Sequence, residues 1–87
     1  MPPWGLEKMH DYILMSTVNG SFYVGMTSEP IKRLAYHNSG HVKSTKSKRP
    51  WEIVHLEEFD NRIEAREREK YLKSAAGRRF RKEKLGL

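Results

Sequence analysis

Cysteine is absent from the 87 residues, which removes a disulfide framework and a thiolate zinc site as sources of stability. No apolar run approaches the ~20 residues that a membrane-spanning helix needs. The opening MPPWGLEKMHDYIL lacks both the basic start and the continuous apolar stretch of a signal peptide. A soluble, cytoplasmic protein without membrane contact is therefore expected. No Walker A loop, dinucleotide fingerprint or nucleophilic serine context is present, and His10, His41 and His55 stand at no metal-ligand spacing. Internal repeats and low-complexity tracts are missing as well. A chain this short makes one domain and buries about 60–65% of the surface its unfolded form exposes, which argues against a large cavity.

Positive charge is what the chain has in excess. Lys and Arg number 17 against 11 Asp and Glu, giving a net charge of +6 and a pI near 9.8, a balance that points to a polyanionic partner. The excess is concentrated: HVKSTKSKR (41–49) has four cations and no acid, and GRRFRKEK (77–84) has five against one. Either run alone serves equally well as solvated surface. Two such runs on so small a domain favour nucleic acid.

The order of elements follows from pattern. Tyr12 to Thr17 and Ser21 to Met26 are rich in aromatic and β-branched residues, with the hairpin signal Asn19-Gly20 between them. Ser28 as N-cap and Pro30 in the first turn predict a helix that ends at Gly40, with Ile31, Leu34, Ala35 and Asn38 on one side. The run 41–49 has no periodicity and is expected as an exposed loop. Trp51 to Phe59 reads as a third strand. A long helix follows, with Asn61 and Glu64 as a capping box and Gly77 as its stop, and then a short basic helix from Arg78 to Lys84. The reading is ββαβαα, an α+β domain with a small antiparallel or mixed sheet covered by helices. Residues 1–9 are expected as a loose leader, in which Trp4 either packs or hangs free, 10–76 as the functional domain and 77–87 as a basic helix or tail.

Side-chain alternation puts polar residues in informative places. A two-residue Asn19-Gly20 turn pairs Ser16 with Tyr23 and Leu14 with Gly25, so that Tyr12, Tyr23 and Gly25 share a face with the tyrosines four positions apart. A four-residue loop, Thr17 to Gly20, keeps the face and halves the offset. Gly25, inside a strand, marks a bend or a close approach by another group. Arg33 and His37 are four apart on the first helix, away from its apolar stripe, and are expected to look outward toward a ligand. On the last long helix Glu69 falls with Ala65, Leu72 and Ala76. A carboxylate there needs a cation or donors. Arg33, Arg66 or Lys73 can supply them as a rim salt bridge, or Glu69 serves as a ligand for a hard cation such as magnesium.

Taken in order, Tyr12, Tyr23-Val24-Gly25, Arg33 and His37 in IKRLAYHN, RPWEIV at the third strand and EAREREKYLK with Glu69 resemble the GIY-YIG domain. That domain is the nuclease module of several homing endonucleases, restriction enzymes, repair incision subunits and junction nucleases, and the likeness is strongest to its small single-domain bacterial members. His10-Asp11-Tyr12 stands where Gly-Ile-Tyr is usual, and YVG replaces YIG. The resemblance implies a three-stranded antiparallel sheet flanked by helices and metal-dependent cleavage of nucleic acid, DNA first, in repair or DNA processing, alone or in a larger assembly. It implies Mg²⁺ or Mn²⁺ on Glu69, Arg33 against the phosphoryl oxygens, and Tyr12 as general base with Tyr23 positioning the water or sharing the role. His37 is expected to orient Tyr12 or hold a phosphate, and Asn38 to steady the local hydrogen bonds. Nucleic-acid contacts are expected at Gly25, Lys32 and Asn38 and along Lys43, Lys46, Lys48 and Arg49. Two other readings compete: a nucleic-acid-binding adaptor that keeps the scaffold with little cleavage, and a module whose basic ends meet an acidic protein.

Overall fold

The computed structural model describes residues 8–87, so Trp4 and most of the expected leader lie outside the described residues. Three strands, β1 (Met9–Ser16), β2 (Phe22–Thr27) and β3 (Trp51–Phe59), form an antiparallel sheet in the order β2-β1-β3. Three helices complete it: α1 (Pro30–Asn38), α2 (Arg62–Lys73) and α3 (Ala75–Leu85). The α+β class and the ββαβαα order stand as expected. Strand β1 begins earlier than its pattern suggested, because Met9 is buried and pairs with Phe59.

The central position of β1 explains why six of its eight residues are buried whichever way they point. Tyr12, Leu14 and Trp51 form the core of one face, with Tyr23, Leu34 and Ile53 packed against it. The strand residues of the opposite parity meet α2 and α3. There Glu57 takes a two-pronged ion pair from Arg68 at 2.8 and 3.1 Å, His55 packs edge-on against Phe80, and Arg81 lies over the Phe22 ring.

The hairpin follows the four-residue alternative. Ser16 N–H donates to Ser21 C=O at 2.8 Å and Gly20 N–H to Ser16 C=O at 2.9 Å, which closes the loop over Thr17–Gly20 and pairs Leu14 with Tyr23 and Tyr12 with Gly25. The Ser16 hydroxyl accepts from Val18 and Asn19 inside the loop, and the Asn19 carboxamide accepts from Ser21 N–H. These bonds favour the longer turn over the two-residue one.

Three helix boundaries differ from expectation: the start of α1, the end of α2 and the start of α3, which opens at Ala75 rather than Arg78. The first residue before α1 is Glu29 rather than Ser28: Pro30 opens the helix with its preset φ, and the Thr27 hydroxyl accepts from Glu29 N–H at 3.1 Å. At the other end Gly40 has the positive φ of 86° that a left-handed helix stop needs. Helix α2 starts at Asn61 as read, its side chain accepting from Glu64 N–H. It stops at Ser74, not Gly77. Gly77 instead lies in the first turn of α3, where an added Cβ would press on the carbonyl oxygens of Tyr71 and Leu72. The absent side chain lets α3 fold back tightly on α2, which is a packing role and not a stop signal.

Candidate active site

The close approach to Gly25 is made by Tyr12. The two residues face each other across β1 and β2, and a Cβ on Gly25 would come within 2.9 Å of Tyr12 Cε1 and nearer still to its Cζ and hydroxyl. Of the two expectations for Gly25, a bend or a close approach, the second holds: the Tyr12 ring fills the space a side chain would take. Tyr23, on the neighbouring pair, brings its ring centroid to 6.3 Å from that of Tyr12. Both tyrosines thus share a face, two positions apart.

Helix α1 presents its polar side inward. His37 is 0% exposed, whereas Ile31 is 74% exposed and Ala35 is also on the surface. The expectation that His37 looks outward is therefore corrected, whereas Arg33 is half-buried and lies 5.1 Å from the centre of the exposed Tyr36 ring. The inward polar groups find partners at the sheet, which removes the penalty that burial would otherwise impose. The Tyr12 hydroxyl is 3.1 Å from His37 Nε2, and His37 Nδ1 is 2.9 Å from Thr45 Oγ1. Asn38 donates to Trp51 C=O at 2.9 Å and accepts Trp51 N–H at 2.7 Å. With both polar groups engaged, Asn38 steadies local hydrogen bonds, the role expected of it. His37, fully enclosed, has no surface on which to hold a phosphate.

Charge states and directions follow. Burial and the positive charge of Arg33 both push His37 below its ordinary value, so the ring is neutral near pH 7. Thr45 has a carbonyl acceptor for its own proton, Val42 O at 3.3 Å. It therefore accepts Nδ1–H, which leaves Nε2 to accept the proton of Tyr12. Tyr12 itself is raised, chiefly by burial; Arg33 opposes this by a polar interaction with the hydroxyl, while the charges of Tyr23 and Glu69 add to it. Arg33 is in turn held more firmly charged by Tyr12 and Tyr23. Tyr12, Tyr23, Arg33 and His37 form one cluster.

Glu69 comes from α2 and its charge reaches Tyr12. It is 8% exposed, and its partners are Lys73 at 3.3 Å and Arg66 at 3.8 Å, both on its own helix, rather than Arg33. Beside it Asp11 is fully buried, with neither carboxylate oxygen hydrogen-bonded among the described residues. Burial first, then the negative charges of Glu69 and Glu57, push Asp11 up to about 7 against the pull of Arg68 and Lys73. Among the described residues no group of three or more His, Cys, Asp or Glu is arranged to hold a metal. A single carboxylate makes no closed zinc centre; a hard cation that completes its shell with water and phosphate oxygens needs no more than one, but at Glu69 it would have to displace Lys73 and Arg66.

The basic run is more ordered than a free loop. It includes a short 3₁₀ turn, Lys46–Lys48, and is fastened to the sheet by Ser16 Oγ donating to Lys48 C=O at 2.6 Å, Thr17 Oγ1 to Pro50 C=O at 2.9 Å and Trp51 Nε1 to Thr45 C=O at 2.8 Å. Lys43, Lys46 and Arg49 remain exposed and Lys48 is half-buried. Lys32 is exposed and paired with Glu29 at 3.4 Å. Thr45 and Ser16 carry structural duties that the sequence did not signal. Thr45 lies in an aperiodic run, and its meeting with His37 is purely tertiary.

Comparison with known proteins agrees with this geometry. The pattern of the GIY-YIG catalytic domain matches residues 8–84. The chain is 42% identical over 62 residues to a UPF0213 protein of Enterococcus faecalis, covering 68% of this chain and 70% of that one. It is 35% identical over 77 residues to a UPF0213 protein of Natronomonas pharaonis, covering 87% and 88%. Its fold is similar to the solution NMR structure of a UPF0213 protein from Bacillus halodurans, with a TM-score of 0.51 and 29% identity over 83% of this chain and 79% of that one. The family pattern spans almost the whole of the described structure, and the chain belongs to the GIY-YIG family.

Proposed function

We propose that this domain is a metal-dependent endonuclease that hydrolyses nucleic-acid phosphodiesters, DNA first, in repair or DNA processing. The observation that carries this reading is the buried chain from Tyr12 through His37 to Thr45, with the charge of Arg33 acting on both phenols. The same bonds that satisfy the buried histidine also leave it poised to accept a tyrosine proton. Glu69 would hold Mg²⁺ or Mn²⁺, which when bound polarises the phosphate and offsets charge on the leaving oxygen. Tyr12 accepts a proton from the attacking water as its own passes to His37 Nε2, so the raised phenol never has to exist as a free phenolate. Tyr23 positions the water. Arg33 meets the charge that builds on the phosphoryl oxygens, a contribution on the order of 10²–10³-fold for such groups.

The test is a nicking assay on supercoiled plasmid, flap and single-stranded DNA with Mg²⁺ or Mn²⁺. Cleavage is expected to stop on chelation and to fall by ~10²-fold or more in Glu69→Ala. Activity that persists in that variant, or that needs no metal, overturns the mechanism. One observation favours a second reading, a binding adaptor without cleavage: Lys73 and Arg66 already neutralise Glu69. DNA binding with a steep salt dependence and no cleavage with either metal would support that alternative.

A further inference from the structure

A cavity of about 450 Å³ opens between the start of β2 and the elbow that joins α2 to α3. Its floor is apolar, from Phe22, Val24 and Leu72, and its rim carries Ser21 and three cations, Lys73, Arg78 and Arg81. Among the described residues no acidic side chain lines it. Arg81 lies over the Phe22 ring at 3.9 Å, and its Nε is buried with no hydrogen-bond partner among the described residues. The one neighbouring charge that acts on Arg81 is the like charge of Arg78, which together with burial makes its charged form less favourable than usual. Lys73 is shared, since it also pairs with Glu69.

Arg78 and Arg81, like charges over an apolar floor with no ion pair among the described residues, raise the energy of the free protein, and an anion entering the cavity relieves that cost. The opening is wider than a single phosphate fills. We propose that this cavity is a second nucleic-acid subsite, which binds a backbone phosphate with its attached sugar on a strand running past Glu69. The Arg78 and Arg81 guanidinium groups bind the phosphate oxygens, and the floor takes the sugar. Lys73 links the subsite to the catalytic carboxylate, so a phosphate in the cavity draws Lys73 toward it and frees Glu69 for a cation. This assignment rests on the nuclease reading, and it extends the strand path to a part of the chain that lies apart from the tyrosine cluster.

The test measures binding without cleavage. Fluorescence anisotropy of labelled 20-nucleotide single-stranded and duplex DNA is followed in EDTA with the full chain, across a salt series. Arg78→Gln, an exposed site, is expected to weaken binding about 3- to 10-fold and to reduce the salt slope by about 1. Arg79→Gln removes the same charge from the part of α3 that does not line the cavity and is expected to cost less than about 2-fold. Arg81→Gln, its fold checked by circular dichroism, is expected to match Arg78→Gln. Amide shifts of Ser21, Lys73 and Arg78 during a titration with inorganic phosphate locate the anion. Equal losses in Arg78→Gln and Arg79→Gln overturn the subsite while leaving the nuclease reading intact. Displacement of the DNA by a glutamate-rich peptide at matched charge assigns the cavity to an acidic protein instead and overturns it as well. Absence of any DNA binding by the unaltered chain overturns both.

Discussion

Burial first, and then the guanidinium of Arg33, keep the His37 ring neutral, and on the proposed mechanism neutral is the state it must hold to accept a proton from Tyr12. Its tautomer depends on Thr45, the acceptor on the other side of the ring. Thr45→Val keeps the shape and removes that acceptor, so Nδ1–H loses its partner and Nε2 is no longer fixed as the acceptor. Cleavage is expected to fall by ~10-fold or more in kcat with little change in KM, and stability by ~1–3 kcal/mol, the cost of an unsatisfied buried group. Thr45→Ser keeps the hydroxyl and should restore the rate; equal rates for the Val and Ser variants would remove Thr45 from the mechanism. Asp11 gives a second residue-scale prediction, this time for stability. Its pKa rises from 3.8 to about 7 in the fold, so the unfolded chain releases this proton first as pH rises. The native state is then progressively disfavoured between about pH 4 and pH 7, by up to ~4 kcal/mol. Asp11→Asn should flatten that part of the pH–stability curve and raise the melting temperature at pH 8. Urea titrations at pH 5 and pH 8 that show the same slope of stability in both proteins would refute the assignment.

Elements were legible from sequence where local chemistry decides them. Strand β3 has the bounds its pattern gave, and Asn61 caps α2 because its carboxamide reaches Glu64 N–H within the same turn. Faces were legible only where apolar residues decide them. Helix α1 has its weak apolar stripe split, with Ile31 outside and Leu34 inside, because what orients it is a set of polar partners contributed by β1, β3 and the basic run. Nothing in the spacing of α1 could reveal those distant partners. In the candidate site, residue types and their order were legible, whereas the burial of His37 and its bond to Thr45 were not. Gly77 shows the same limit at the elbow of α2 and α3, where a stop-like glycine proves to be a contact. Gly77→Ala should destabilise the domain by ~1–3 kcal/mol through overpacking against the Tyr71 and Leu72 carbonyls. Because α2 carries both Glu69 and Lys73, cleavage should fall with it. A denaturation midpoint equal to that of the unaltered chain would show that the elbow has room to give.

Across the whole molecule the +6 charge falls in two places, the basic run anchored beside α1 and the cations of α3 behind β2. On the nuclease reading proposed above, affinity draws on these cations and chemistry on other residues. Each exposed cation that meets a phosphate releases a counter-ion and adds about 0.9 to the slope of log K against log salt on duplex DNA. Lys43, Lys46 and Arg49 are exposed and without ion pairs among the described residues, whereas Lys32 is partly neutralised by Glu29. Replacing the first three together by Gln is therefore expected to lower the slope by about 2–3, and Lys32→Gln by less than about 1. Glu69→Ala should behave in the opposite sense, since removing a negative charge near the strand leaves binding equal or tighter while cleavage is lost. Chelation should likewise abolish cleavage and spare binding. Anisotropy titrations at several salt concentrations, run beside the nicking assay on the same proteins, separate the two outcomes. If the triple substitution left the slope unchanged, the anchored run would be solvated surface and the strand would have to lie along α3 alone.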